Sequence, residues 1–369
     1  MRSLLLACST MAIALGVSAP LSAQTAVAVA ADAPSPAPLG KLNDAVTPSA
    51  YRLDMTVDPA KPRFSGHVEV DAKLNTASRF VYLHGRDLAM HRATATAGGK
   101  EIAGDWQQVD PTGVARLRFP AALPAGPVRF RFDYDAAYSE SPSGLFRVKV
   151  GDDWYGWSQF ESIDARSAFP CFDEPGFKTP FAITLRTPPG QMAVSNAPEV
   201  SVGSQGGMDV HRFQQTLPLP TYLVAMMTGP FAVARDQVPP SPQRAGPLPL
   251  RVISPRVNAD RLAFALAGSK PIIAQLEDYF GEPFPFSKLD QITTPILPGA
   301  MENAGADLYA DPMPSMASED FAFMLEARPG AFVFLGMGDG NECHHPAYKF
   351  NDNILGHGAS YWVRLVEKS

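Results

Sequence analysis

Apolar and polar residues alternate along several stretches between residues 44 and 235. A period of two puts every second side chain on the same face of a strand, so each stretch predicts a strand with one face on a core. Turn signals such as Asp58-Pro59 and Gly126-Pro127 separate the stretches. The apolar positions of the three clearest stretches are Tyr51, Leu53, Met55 and Val57; Val68, Val70, Ala72 and Leu74; and Val128, Phe130, Phe132 and Tyr134. The pattern predicts an all-β domain over residues 44–235.

The pattern changes to a helical period near residue 258. Asn258 or Asp260 is suited to cap a helix there, and Pro271 suits a first helical turn. Gly281 is suited to end the helix. The apolar residues at helical spacing are Leu262, Leu266, Ile272, Ile273, Leu276 and Phe280. Strand-like sequence returns afterwards, so residues 236–312 predict the opening of an α/β domain.

The first 23 residues have the pattern of an export signal. Arg2 supplies a positive charge, an apolar stretch from Leu4 to Val17 follows, and Leu21-Ser22-Ala23 is a suitable cleavage site. Residues 24–43 are rich in Ala, Pro and Val and predict a flexible lead. The sequence therefore predicts an exported protein, periplasmic or secreted. No other stretch is long and apolar enough to predict a membrane span.

Composition narrows the class of protein further. The chain is 46% hydrophobic and 18% charged, which is typical of a globular protein and not of a disordered one. A net charge of -6 and the lack of a basic stripe argue against a nucleic-acid partner. Cys8 lies in the predicted signal, and the two remaining cysteines, Cys171 and Cys343, do not make a disulfide framework.

The segment 158–181 carries polar residues of two kinds. Gln159 and Glu161 alternate along a strand-like stretch, so both are predicted to point to one side of a strand. They could bind an ammonium group together, or they could be solvated side chains on an edge strand. Arg166, Asp173 and Glu174 follow, and we interpret these three as a structural ion-pair network.

Four motifs occur in order between residues 44 and 312. They are SQFESIDARSAFPCFDEPGFKTPF (158–181), LPTYLVAMMTGPF (219–231), YFGEPFPFSKLD (279–290) and PGAMENAG (298–305). In this order and spacing they resemble the aminopeptidase N family of zinc metallopeptidases. The resemblance implies a mainly β, saddle-shaped N-terminal domain over residues 44–235. It also implies a thermolysin-like α/β catalytic domain that begins at residue 236 and is truncated at 312.

The resemblance further implies a binding site for the amino terminus of a peptide, which is the expected partner. In the family, the Gly-Ala-Met-Glu-Asn loop lies along the substrate, and its glutamate, here Glu302, binds the free α-amine. A polar pair from the first domain lines the same pocket, because a buried ammonium needs compensating charge and hydrogen bonds. The substrate-binding residues implied are Gln159, Glu161, Gly299, Ala300, Met301, Glu302 and Asn303.

The family's hydrolytic machinery is not present in this sequence. The family holds zinc with a His-Glu-x-x-His motif on a helix, whose glutamate is the general base toward the zinc-bound water. The histidines here are His67, His84, His91, His211, His344, His345 and His357, and none of them begins that motif. Zinc is the cofactor expected from the family, but the sequence contains no complete site for it and no catalytic residues of that type.

The last segment of the chain has a different resemblance. PSMASEDFAFMLEARPGAFVFLGMGDG (314–340) and CHHPAYKFNDNILGHGASYWVRL (343–365) resemble the C-terminal end of the hippurate hydrolase-like amidohydrolases. The resemblance implies a short foreign α/β tail over residues 313–369, in which His344 matches a metal ligand. The upstream ligands of that family are absent, so His344 is interpreted as an orphaned ligand.

Three functional hypotheses therefore stand side by side. The first is a zinc metalloaminopeptidase by descent that is truncated or chimeric and inactive as it stands. The second is a non-catalytic binder of peptide amino termini. The third is an amidohydrolase of the hippurate hydrolase type.

Overall fold

A computed structural model describes residues 36–39, 41–296, 301 and 303. The predicted signal peptide and the predicted tail at 313–369 lie outside the described residues. The described part is mostly β-structure. Its strands, in chain order, are β1 (Val46–Thr56), β2 (Arg63–Leu74), β3 (Ser78–His84), β4 (Ala89–Ala97), β5 (Lys100–Ala103), β6 (Asp105–Gln108), β7 (Val114–Leu123), β8 (Gly126–Ala137), β9 (Gly144–Val150), β10 (Asp153–Gln159), β11 (Phe181–Thr187), β12 (Met192–Ser195), β13 (Glu199–Gln205), β14 (Met208–Phe213), β15 (Met226–Gly229), β16 (Ala232–Val238), β17 (Leu248–Ser254) and β18 (Leu289–Ile292).

An eight-stranded sheet forms the largest layer, with the strand order β13-β14-β11-β1-β2-β8-β4-β5. Its central strands β1, β2 and β8 pair antiparallel over long registers, with Leu53 opposite Val68 and Val68 opposite Phe132. The apolar positions predicted from the period of two are all buried, which confirms the predicted core face of these strands. The same core cluster includes residues of the three-stranded sheet β3-β7-β6, such as Leu83 and Leu117.

A four-stranded sheet with the order β12-β15-β10-β9 contains the strand that carries Gln159. Its strands pair antiparallel, with Trp157 opposite Met227 and Ser195 opposite Met226. An aromatic cluster of Phe146, Tyr155 and Trp157 is buried on this sheet. The sheet therefore fixes the end of β10 from both sides.

The chain then enters a three-stranded sheet with the order β16-β17-β18. Strands β17 and β18 are parallel, and the helix α1 (Leu262–Phe280) lies between them in sequence. This β-α-β unit is the connection that parallel neighbours require. The predicted domain boundary at 235/236 falls inside β16, which pairs with β17 along its whole length.

Two details of the predicted helix start are wrong. Arg261 occupies the N-cap position without a side-chain hydrogen bond, and Asn258 donates instead to the Ser254 hydroxyl at 3.2 Å. A 3₁₀ turn over Arg256–Arg261 leads directly into α1, so the backbone is already helical where a cap was expected. Pro271 lies inside the helix and not in its first turn.

The predicted end of the helix is confirmed. Gly281 is the C-cap with φ of 69°, a left-handed conformation that glycine adopts without the steric cost that a Cβ imposes. Helix α1 buries Leu262 and Ile273 and leaves Phe264 and Tyr279 exposed. Among the described residues, no helix combines the length and the apolar character that crossing a bilayer requires.

Candidate substrate-binding site

Gln159 is the last residue of β10 and is half-buried. Backbone pairing with β9 ends there, at Gln159 opposite Gly144. On the other side, the Ser158 hydroxyl accepts a hydrogen bond from the Met226 amide at 2.8 Å, which continues the contact with β15 by a side chain. Gln159 therefore lies at the end of a well-paired strand, where its side chain is held by a fixed backbone.

Glu161 does not continue that strand, which corrects the predicted alternation of the two residues along one strand. The chain leaves the sheet after Gln159 and enters a turn, in which the Asp164 amide donates to the Phe160 carbonyl at 2.9 Å. Phe160 is buried in the main core and anchors the turn. Glu161 is half-buried next to it. Gln159 and Glu161 therefore lie close in the chain, but Gln159 is in a strand and Glu161 is in a turn.

The turn is fixed by a buried ion pair. Arg166 Nε lies 2.9 Å from Asp173 Oδ2, and both side chains are almost fully buried. The Thr221 hydroxyl donates to Asp173 Oδ1 at 2.5 Å, and Arg166 Nη1 donates to the Thr112 carbonyl at 3.1 Å. The predicted structural role of Arg166 and Asp173 is confirmed. Glu174, the third predicted member, accepts a hydrogen bond from the backbone of Leu42.

His84 completes this buried network and was not singled out from the sequence. Its Nδ1 accepts a hydrogen bond from the Asp173 amide at 3.1 Å, and its ring is fully buried. Burial, together with the positive charge of Arg166, lowers the pKa of His84 from 6.5 to about 3. The histidine is therefore neutral at neutral pH. Its Nε2 has no hydrogen-bond partner among the described residues.

The predicted peptide-binding loop is described at two positions. Met301 packs against the main core cluster. The carbonyl oxygen of Asn303 accepts a hydrogen bond from Asn196 Nδ2 at 2.9 Å. Gly299, Ala300 and Glu302 lie outside the described residues.

Asn196 connects this loop to the sheet that carries Gln159. It follows β12 directly, and its Oδ1 accepts from the Ala225 amide at 2.8 Å. Strands β12 and β10 flank β15, so they are two strand spacings apart, or about 10 Å. The anchor of the loop and the end of β10 therefore lie at the same end of one sheet.

A family model described as the Peptidase M1 N-terminal domain matches residues 47–223. This range runs from β1 to the 3₁₀ turn at Thr221–Leu223 and includes both Gln159 and Asn196. The matched range and the relatives below support the resemblance of this chain to the aminopeptidase N family.

Several curated relatives share this similarity. Aminopeptidase N of Acetobacter pasteurianus is 29% identical over 285 residues, which are 74% of this chain and 76% of that protein. Aminopeptidase M1 of Arabidopsis thaliana is 28% identical over 274 residues, 72% of this chain and 30% of that protein. Endoplasmic reticulum aminopeptidase 1 of mouse is 30% identical over 289 residues, 73% of this chain and 30% of that protein. The chain thus spans about a third of the length of its plant and mammalian relatives.

Zinc is the metal of the aminopeptidase N family, and the described residues do not fit it. Residues 36–39, 41–296, 301 and 303 contain no group of three His, Cys, Asp or Glu side chains that could hold a metal ion. Three protein ligands are the usual minimum for a catalytic zinc. His344, which the sequence analysis interpreted as an orphaned ligand, lies outside the described residues.

A separate cleft of about 360 Å³ lies between the eight-stranded sheet and the β16-β17-β18 sheet. Its lining includes the acidic residues Glu199 and Asp209 and the basic residues Arg235, Arg251 and Arg256. Of the predicted site residues that the structure describes, which are Gln159, Glu161, Met301 and Asn303, none lines this cleft.

Proposed function

We propose that this chain binds the free amino terminus of a peptide with Gln159, Glu161 and Glu302. The observation that supports the proposal is the hydrogen bond from Asn196 to Asn303, which ties the loop to the end of the sheet where Gln159 lies. The similarity to aminopeptidases supports the same chemistry, since those proteins are named for the release of amino-terminal residues.

The three side chains suit a charged ammonium group but not a neutral peptide terminus. Two carboxylates and an amide oxygen are acceptors, and a protonated α-amine offers three N–H donors and a positive charge. An acetylated terminus has neither the charge nor more than one N–H group. The site would therefore reject a blocked peptide, because two carboxylates would be partly desolvated without a counter-charge.

We propose further that the chain binds such peptides without cleaving them by the zinc mechanism of its relatives. The reason is the sequence, which contains no His-Glu-x-x-His motif at any of its histidines.

We also propose that the chain is chimeric. In this proposal the aminopeptidase-like part is joined to the tail at a point between Gly305 and Pro314. Sequencing the coding region across codons 300–320 tests it, and an uninterrupted aminopeptidase reading frame there would contradict it. The amidohydrolase hypothesis stays a prediction, because His344 lies outside the described residues.

The binding proposal is tested with Glu302→Gln, which keeps the size of the side chain and removes its charge. Titration calorimetry of the full chain with trialanine and with N-acetyl-trialanine compares a free and a blocked terminus. We expect the variant to lose at least about tenfold in affinity for trialanine, or about 1.4 kcal/mol, because a charge-assisted contact is lost. Glu282→Gln is the matched control, since Glu282 is exposed and lies outside the candidate site.

Two results would contradict the proposed function. One is equal affinity of the unaltered chain for the free and the blocked peptide, which would show that the amine is not recognised. The other is chelator-sensitive cleavage of an alanine anilide, which would show that a working metal site exists despite the missing motif.

The proposed location is outside the cytoplasm, with the first 23 residues as a cleaved signal. Expression of the full coding sequence with a C-terminal affinity tag, followed by intact-mass measurement, is expected to give a chain that begins at Gln24. A product that retains the residues before Gln24 would contradict cleavage at this site.

A further inference from the structure

The cleft between the eight-stranded sheet and the β16-β17-β18 sheet is lined by charges of both signs. Its volume of about 360 Å³ is at the lower end of the range for small-molecule pockets, which is about 300–1,000 Å³. The lining includes three arginines, Arg235, Arg251 and Arg256, and two acids, Glu199 and Asp209. Within residues 41–296, no ion pair joins one of these arginines to one of these acids. The two sets of opposite charge therefore line one cleft without neutralising each other at contact distance.

Two of the arginines form a pair of like charges across neighbouring strands. Arg235 of β16 lies directly opposite Arg251 of β17 in the antiparallel register. Side chains in such a pair are on one face of the sheet, with Cβ atoms about 5 Å apart, and like charges there repel each other. Arg251 donates to the Asp290 carboxylate at 2.6 and 2.5 Å, whereas the Arg235 side chain has no partner in the part of the chain that the structure describes. A carboxylate bound between the two guanidinium groups would relieve this repulsion.

A further cation competes with Arg251 for its counter-charge. Lys288 Nζ contacts Asp290 Oδ2 at 2.5 Å, so Arg251 and Lys288 share one carboxylate. The side chains of Lys288 and Asp290 are 12% and 7% exposed. Burial lowers the pKa of Lys288, and the nearby charge of Arg251 acts in the same direction. Two cations with a single anion leave an excess of positive charge beside the cleft, which an anionic ligand group would balance.

The acidic side chains of the cleft come from the hairpin of β13 and β14. Asp209 and His211 are two residues apart on β14, so they point to one face of this strand. Asp209 Oδ2 accepts a hydrogen bond from the Gly190 amide at 2.7 Å. Glu199 Oε1 lies 2.6 Å from His211 Nδ1, and His211 Nε2 lies 3.1 Å from Thr187 Oγ1. Both carboxylates are thus held in position by neighbours other than the arginines of the cleft.

We propose that the cleft binds a small zwitterion, such as a free amino acid or a dipeptide. Its carboxylate lies between Arg235 and Arg251, and its ammonium group is directed toward Asp209 and Glu199. Guanidinium groups hold carboxylates through parallel hydrogen bonds, and an ammonium group donates three hydrogen bonds to acceptors such as carboxylates. A simple dianion suits the cleft less well, because the two acids would repel it. This site is separate from the one proposed at Gln159, which does not line the cleft.

Two substitutions address the two ends of the ligand. Arg235→Gln removes a guanidinium that has no ion-pair partner among the described residues, and keeps a polar side chain. Asp209→Asn removes the charge but keeps an oxygen for the Gly190 amide. Arg212→Gln is the matched control, because Arg212 is an exposed arginine of β14 that does not line the cleft.

Titration calorimetry of the full chain compares three ligands. Dialanine has both charges, dialanine amide lacks the carboxylate, and N-acetyl-dialanine lacks the ammonium group. We expect Arg235→Gln to bind dialanine at least about tenfold more weakly and to bind dialanine amide with unaltered affinity. We expect Asp209→Asn to weaken dialanine binding by a similar factor and to leave the affinity for N-acetyl-dialanine unaltered. Arg212→Gln is expected to match the unaltered chain with all three ligands.

Hydrogen exchange locates the bound dialanine. We expect exchange in residues 188–193, which include Gly190 and Gln191 of the lining, to become slower when dialanine is added to the unaltered chain. The same addition to Arg235→Gln is expected to have no such effect. Slower exchange confined to residues 158–162 would place dialanine at the site proposed for peptide amino termini, and would overturn the proposal of a second site in the cleft.

Three further results would overturn the proposal. One is an unaltered chain that does not bind dialanine, and another is unchanged dialanine affinity in Arg235→Gln. The third is an equal loss of affinity for dialanine and for its amide in that variant, which would mean that Arg235 does not act on the carboxylate. If Arg235→Gln does not fold, Arg256→Gln is measured with the same expectations, and failure of both variants to fold counts against a ligand-binding role for these arginines.

Discussion

Replacing Asp173 by alanine is expected to lower the free energy of unfolding by about 3–5 kcal/mol, because it leaves the Arg166 guanidinium buried without its counter-charge. The two side chains are 1% and 6% exposed, so water cannot replace the lost partner. Asp173 also accepts a hydrogen bond from Thr221, which would lose its partner as well. Equilibrium unfolding in urea, followed by tryptophan fluorescence, measures the change.

Asp54→Ala is the control for this prediction. Asp54 pairs with Arg186 through two hydrogen bonds of 2.6 and 2.8 Å, but this pair is partly exposed. Water can solvate the remaining guanidinium, so we expect a loss of no more than about 1 kcal/mol. Equal losses of unfolding free energy in the two variants would contradict the prediction that breaking the buried pair costs more than breaking the exposed one. A small loss in both would mean that the interior near Asp173 admits water.

The stability of the unaltered protein is expected to fall as the pH drops from about 6.5 toward 3, in part because of His84. The folded state holds this histidine neutral, with a pKa of about 3, while the unfolded chain binds a proton near the ordinary value of 6.5. Between these two values the unfolded state carries more protons, so acid favours unfolding. The slope contributed is about 1.4 kcal/mol per pH unit, and the full interval amounts to about 5 kcal/mol.

The substitution His84→Asn isolates this contribution. The asparagine oxygen can accept the hydrogen bond from the Asp173 amide but does not titrate. Urea unfolding at pH 7, 6, 5 and 4 is expected to show a difference between the two proteins that shifts steadily in favour of the variant toward acid. His67→Asn is the control, because the side chain of His67 is 44% exposed. We expect this variant to keep the pH dependence of the unfolding free energy that His84 contributes. Parallel curves for the unaltered protein and His84→Asn would contradict the prediction.

The β-strands were predictable because their information is local. Residues such as Leu53 and Phe132 alternate with polar neighbours, and burial of one face follows from that period alone. The end of α1 at Gly281 was predictable for the same reason, since a left-handed C-cap favours glycine. The start of α1 was not, because a 3₁₀ turn leads directly into the helix and no side-chain cap forms at Arg261.

The candidate site was predictable only as a set of residues. The motifs named Gln159, Glu161 and the loop at 299–303, but alternation could not show that the strand ends at Gln159. Asn196 carried no usable signal, since an asparagine near Pro198 is ordinary in a turn. Its partner in the loop is 107 residues away in sequence.

The sequence by itself determined the period of the strands, the helix before Gly281, the motifs of the aminopeptidase N family and the lack of a His-Glu-x-x-His motif. The tertiary structure alone decided that Glu161 leaves the strand, that His84 joins the buried pair of Arg166 and Asp173, and that Asn196 holds Asn303. The physical reason is the range of each effect. Hydrophobic period and backbone conformation act between near neighbours, whereas these hydrogen bonds depend on which strands lie side by side and on which side chains the core seals from water.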